Sequence, residues 1–135
     1  MVKMKILTVD IGTGTQDIYL FDSQLEVENG YKLILPSPTL MVERHLHQAA
    51  REKKDVLLSG VIMGGGPSNW GAADHLKQGL KVYATPEAAL SFDDDLSLVR
   101  EKGIIVVSAD EALRLPDSVE RVQMCDFDYP SIQKT

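Results

Sequence analysis

The stretch Lys5-Ile-Leu-Thr-Val-Asp10-Ile-Gly-Thr-Gly-Thr-Gln-Asp17-Ile-Tyr-Leu-Phe21 decides how this chain is read. Ile6, Leu7 and Val9, then Ile18, Leu20 and Phe21, have strand composition, and the short linker between them holds two glycines, which predicts a β-hairpin. Gly12 and Gly14 sit where the backbone can take a positive φ and approach a ligand closely. Backbone N–H groups and the Thr13 and Thr15 hydroxyls can then surround an anion as a nest does. Asp10 closes the first strand and is placed to hold Mg²⁺ directly or through water. The alternative is a plain hairpin whose threonines and aspartates cap its turn, and the residues alone leave both open.

At 135 residues the chain fits one α/β domain, 1–135, long enough to bury about two-thirds of its unfolded surface. Charged residues make up 25% and hydrophobic residues 44%, a balance that supports a packed core and argues against disorder. The net charge of −6 weighs against a general affinity for nucleic acid or an anionic membrane. No apolar run approaches the ~20 residues that span a bilayer, and the start enters a strand without a signal peptide. With its lone Cys125, the chain is expected to be cytoplasmic. Cys125 is expected to pack in a late strand as a small hydrophobe, with a nucleophile as the lesser reading.

After the hairpin, a turn at Glu28 to Gly30 leads to a third strand, Tyr31 to Leu35, closed by Pro36-Ser37-Pro38. Thr39 is the expected cap of a helix from Leu40 to Lys53 with an apolar stripe at Leu40, Val42, Leu46 and Ala50. His45 and His47 are two residues apart, which points them to different faces and makes no metal pair. His75 has no ligand-spaced cysteine or carboxylate beside it, so zinc is not expected.

Asp55 to Met63 is a nearly continuous apolar run, the pattern of a strand covered on both faces. Gly64-Gly-Gly-Pro-Ser68 joins it to a helix expected over Asn69 to Gln78, with Pro67 in the first turn and Gly79 as the stop. A glycine-rich loop entering a helix N-terminus favours an anion, which makes Gly64, Gly65, Gly66 and Ser68 candidate binding residues; close packing is the other reading. The loop lacks the Lys-Ser/Thr ending of a Walker A motif and the G-x-G-x-x-G spacing of a dinucleotide fingerprint. Trp70 is expected as a core or interface anchor, with a stacking platform as the alternative.

Two βα units follow, Lys81 to Leu90 and Ile104 to Leu113, each with a strand, a hydroxyl cap and an acidic helix start. Ser108 and Glu111 have capping-box spacing. Asp93-Asp94-Asp95 reads as a solvated turn into a helix over Leu96 to Lys102 rather than a metal cluster. Val119 to Cys125 is the expected last strand.

This order of elements, with the Asp10-x-Gly12-Thr13-Gly14-Thr15 turn, resembles the first half of a ribonuclease-H-like domain of the actin, sugar-kinase and heat-shock-chaperone ATPase superfamily. The resemblance covers mainly residues 5–85. It implies a mixed sheet, antiparallel in its first three strands and then parallel, flanked by helices. It also implies ATP phosphates at Gly12, Thr13, Gly14 and Thr15, with Asp10 beside Mg²⁺. More closely, Val9 to Asp17 together with Val61 to Ser68 is similar to an uncharacterised prokaryotic and archaeal family, some of whose members are labelled pyruvate formate-lyase activating enzyme. Such activases hold a [4Fe–4S] cluster on three thiolates, and one cysteine cannot supply them, so no iron–sulfur cluster is expected. The family's members are longer, which makes this chain an expected N-terminal portion lacking a C-terminal domain.

The expected function is a nucleotide-phosphate-binding half of an ATPase- or kinase-like protein, with Asp10 and Asp17 as the catalytic candidates and Asp10 as metal ligand. Its partner would be a nucleotide or another phosphorylated small molecule. The alternatives are a non-catalytic assembly module on the same fold, or an enzyme holding an anionic metabolite at Gly64 to Ser68. An open sheet edge would allow a homo-oligomer.

Overall fold

The computed structural model describes residues 3–24, 30–62 and 66–126. Three strands come first: β1 (Lys5–Ile11), β2 (Thr15–Asp22) and β3 (Tyr31–Pro36) form an antiparallel sheet in the order β1-β2-β3. The helix α1 (Pro38–Arg51) leads to β4 (Val56–Val61), α2 (Gly66–Lys77) and β5 (Val82–Ala84). Two short helices, α3 (Pro86–Ala89) and α4 (Leu96–Glu101), precede β6 (Ile105–Val106), and α5 (Ala109–Leu113) precedes β7 (Glu120–Cys125). The last four strands are parallel in the order β6-β5-β4-β7. The expected α/β class holds, antiparallel strands first and parallel βα units after, with helices flanking them. The two sets of strands are hydrogen-bonded as two sheets, because β4 has β5 and β7 as its neighbours.

β4 is covered on both faces, as its unbroken apolar run requires. Val56 and Leu58 join Val42 and Leu46 of α1 and Val122 and Met124 of β7 in the larger core cluster. Leu57, on the opposite face, packs with Val107, Ala112 and Val119 in a second cluster. Two helices meet closely because α2 carries a glycine at the crossing: a Cβ on Gly71 would touch Leu46 at 3.0 Å. His75 of α2 is buried, and its Nε2 donates to the Lys54 carbonyl at 2.8 Å. Burial pushes its pKa down. Its Nδ1 closes no hydrogen bond.

Several local expectations are met by the caps. Thr85 caps α3, Asp95 caps α4 and Ser108 caps α5, the last accepting from the Glu111 amide at 3.1 Å. Gly79 takes φ +79° just past α2, the left-handed position that ends a helix. Of the expected turn Glu28 to Gly30, only Gly30 is among the described residues.

Other expectations are corrected. The cap of α1 is Ser37 rather than Thr39, and the helix runs two residues earlier than expected at each end. Ser37 precedes a proline, whose ring pushes it to the extended backbone (φ −64°, ψ 154°) that a cap needs. Trp70 is not a core anchor: it is 65% exposed. Cys125 is exposed rather than packed, since Val122 and Met124 take the inward positions of β7 and Cys125 falls on the alternate side. Neither Gly12 nor Gly14 has a positive φ.

Candidate functional site

The register of β1 on β2 sets Asp10 directly opposite Asp17, and Asp17 opposite Ile34 of β3. Side chains opposite each other share a face, so both carboxylates stand on one side of the sheet at the end nearest the turn. The neighbouring row on that face is Thr8, Tyr19 and Lys32. These two rows line a groove of about 310 Å³. Like charges directly opposite repel, and a cation between them removes that cost. Among the described residues no group of three or more His, Cys, Asp or Glu is placed to hold a metal. Two carboxylates suffice for Mg²⁺, which keeps several waters and takes its other ligands from phosphate.

The turn itself is held from one side. Gly12 donates to the Thr15 carbonyl at 2.9 Å, closing it. The Ser37 hydroxyl donates to the Thr13 carbonyl at 2.7 Å, and the Ser37 amide donates to the Gly14 carbonyl at 3.0 Å. All peptides described are trans, so the N–H of each peptide unit points away from its C=O. Fixing the Thr13 and Gly14 carbonyls on Ser37 therefore turns the Gly14 and Thr15 N–H groups away from Ser37. Residues 12–15 are all exposed, and a Cβ on Gly14 would meet nothing within 4 Å. A bulky anion has room to approach.

Beneath the turn lies a polar cluster that sequence reasoning missed. Gln16, Ser37, Thr39 and Ser68 are all buried. Gln16 donates through Nε2 to the Pro36 carbonyl at 3.0 Å, while its Oε1 has no partner. The Ser68 amide donates to the Thr39 hydroxyl at 3.1 Å, which ties the start of α2 to the start of α1. Ser37 and Thr39 thus join the two glycine-bearing motifs, the hairpin turn and the Gly66 to Ser68 helix start. Gly64 and Gly65 lie outside the described residues. The positive ends of α1 and α2 lie at this junction, and their dipoles favour negative charge. The signal in the sequence was Ser37-Pro-Thr39, which reads equally as an ordinary helix start.

The histidines go elsewhere. His45 Nε2 lies 3.0 Å from Glu120 Oε1, and His47 Nε2 lies 3.8 Å from Asp74 Oδ2. The His45 hydrogen bond holds the Glu120 carboxyl below its usual range, helped by Lys54. Asp93 and Asp95 serve the turn into α4, each accepting a backbone amide. No helix among the described residues is long and apolar enough to cross a membrane.

A family model described as "Putative pyruvate format-lyase activating enzyme (DUF1786)" matches residues 63–135, more than half of the chain. The chain belongs to this family. The family match begins at the end of the apolar strand run and takes in α2 through β7, so the hairpin lies outside it. The activity in the family's description belongs to the description; in this sequence a three-thiolate cluster would find only Cys125. No curated protein and no solved structure matches the chain.

Proposed function

We propose that this chain binds the phosphates of a Mg²⁺-nucleotide, ATP in the first instance, at the β1–β2 turn, as the nucleotide-binding part of an ATPase- or kinase-like protein. One observation carries the reading: Ser37 holds the Thr13 and Gly14 carbonyls and so turns the Gly14 and Thr15 N–H groups away from itself, in an exposed turn beside the Asp10–Asp17 pair. Phosphate oxygens would accept from those amides and from the Thr13 and Thr15 hydroxyls. Asp10 would hold the metal, and Asp17 would ligate it or position a water. The resemblance of the turn to that of the actin and sugar-kinase ATPases supports the same assignment. The chemistry of such a site is positioning and neutralisation of charge. The single cysteine fits a cytoplasmic setting.

Calorimetry with ATP tests this. Asp10→Ala should abolish binding that depends on Mg²⁺ and leave the melting curve nearly unchanged, whereas undiminished Mg²⁺-dependent binding overturns the assignment.

A second reading, an assembly module, is favoured by β1. Its Leu7, Val9 and Ile11 are exposed on an edge strand, which invites pairing with another chain or another copy. A metabolite site at Gly64 to Ser68 has less support, since the Ser68 amide is already committed to Thr39.

A further inference from the structure

Among the described residues β1 pairs with β2 alone, which leaves its outer edge open. The phase of the ladder says which groups that edge presents. The Gly12 amide donates to the Thr15 carbonyl at 2.9 Å and the Ser23 amide to the Met4 carbonyl at 2.8 Å, at positions that continue the register of Lys5 opposite Asp22. Hydrogen-bonded residues alternate along an antiparallel strand, so Ile6, Thr8 and Asp10 bond to β2, and the N–H and C=O of Lys5, Leu7, Val9 and Ile11 turn outward. The far edge of the same sheet is guarded. There the Ser37 amide donates to the Gly14 carbonyl, and the same alternation turns Lys32, Ile34 and Pro36 outward, which puts a charge and a residue without an N–H on the edge. β1 has no such guard between its ends, and the side chains of Leu7, Val9 and Ile11 are exposed beside the open edge.

We propose that β1 pairs antiparallel with β1 of a second copy of this chain, about a two-fold axis at Thr8, joining the two hairpin sheets into one. Two features of the strand select its own copy. Lys5–Ile11 is centred on Thr8, so this register overlaps the whole strand. It sets Leu7 opposite Val9 and Lys5 opposite Ile11 of the second copy, and each outward N–H and C=O meets its complement. The charge of the strand is also uneven, with Lys3 and Lys5 at its start and Asp10 near its end. Antiparallel pairing lays each basic start beside the other copy's acidic end, whereas parallel pairing would lay like charge on like. The contact is small and belongs with weak, transient interfaces, so the dilute chain keeps β1 exposed. The pairing develops the assembly reading of β1 and stands whether or not the turn takes phosphate.

Sedimentation velocity of the whole chain without nucleotide, from micromolar to millimolar concentration, should show a monomer–dimer equilibrium. Leu7→Pro deletes an outward N–H and spares the bonds to β2, so it should weaken the dimer about thirtyfold, one hydrogen bond being lost from each copy. Leu7→Lys, at an exposed edge position that tolerates a charge, should weaken it too and serves if the proline variant fails to fold. Cysteine pairs in a Cys125→Ser background read the register. Thr8→Cys sets two thiols on the two-fold axis, at the Cα separation of about 4.5 Å of a non-hydrogen-bonded pair, and should oxidise to a covalent dimer. Ile6→Cys faces Asp10 of the second copy and should not. A chain that stays monomeric throughout, a dimer unmoved by both Leu7 substitutions, or cross-linking at position 6 equal to that at position 8 overturns the proposal. The first of these results still leaves β1 open to a strand of another protein, which keeps the failure of self-pairing distinct from the failure of the assembly reading.

Discussion

β1 and β4 both carry runs of branched apolar residues, Ile6-Leu7 with Val9 in one and Val56-Leu57-Leu58 in the other, and have opposite fates. Leu58 in β4 is 0% exposed, whereas Leu7 in β1 is 50% exposed. The difference lies in what covers them. β4 has strands on both sides and a core cluster on each face. β1 is an edge strand whose apolar row, Leu7, Val9 and Ile11, continues the buried Ile18 of β2 but reaches past it into solvent. The parallel sheet carries the stability, and the hairpin sheet offers the open surface at which the turn and its carboxylates meet solvent. A turn proposed to take a ligand is placed there at little cost to the core.

Substitutions can break that contrast. Leu58→Ala should cost about 3 kcal/mol, because it removes a large side chain from a closed core. Leu7→Ala should cost about 0.5 kcal/mol or less, as an exposed position does. Chemical denaturation of both variants measures the gap. Similar losses would mean that β1 is covered in solution, by a second copy or another chain, and the concentration dependence of the Leu7→Ala effect would show which.

Ser37→Ala comes next, at about 1–2 kcal/mol, since it removes both the α1 cap and the bond to Thr13. Its sharper consequence is functional. Mg²⁺-ATP binding should weaken even after the stability loss is allowed for, and binding that survives intact would separate the turn's geometry from Ser37.

The smallest effect is one of pH. His75 has a folded-state pKa below its ordinary 6.5 because burial disfavours the charged ring. Its contribution is therefore complete above pH 6.5 and is lost as the pH falls from there through the lower folded value, where the unfolded chain takes up a proton that the folded chain refuses. Urea midpoints measured downward from pH 7.5 should fall in the native chain, and fall less in His75→Gln. Equal slopes would show that the folded chain takes up the proton on His75 as readily as the unfolded chain does.

Much of this was legible locally. The hairpin, the covered β4, the caps Thr85, Asp95 and Ser108, and the stop at Gly79 each follow from residues within a few positions of one another. The remaining features depend on tertiary neighbours or on the residue next to the one that carries the pattern. Ser37 rather than Thr39 caps α1 because of Pro38, which was visible. The outward position of Cys125 follows from the alternation of Val122 and Met124, which was also visible. Trp70 points outward because α2 gives its inner face to Ser68, Gly71 and His75, and small residues there let α1 approach. That needs knowledge of the partner helix. For the candidate site, Asp10, Asp17 and the turn could be named from the sequence. The buried clasp of Gln16, Ser37, Thr39 and Ser68 could not, because its members lie far apart in the chain and are joined only by folding.

We propose the β1–β2 turn, held by Ser37, as the seat of the phosphates of a Mg²⁺-nucleotide. The most direct test is a ¹⁵N–¹H titration of the chain with ATP, with and without Mg²⁺. Shifts concentrated at Gly12 to Asp17 and Ser37, and requiring Mg²⁺, are the predicted result. An unmoved turn in a folded chain, at ATP concentrations that saturate known weak nucleotide sites, would contradict it.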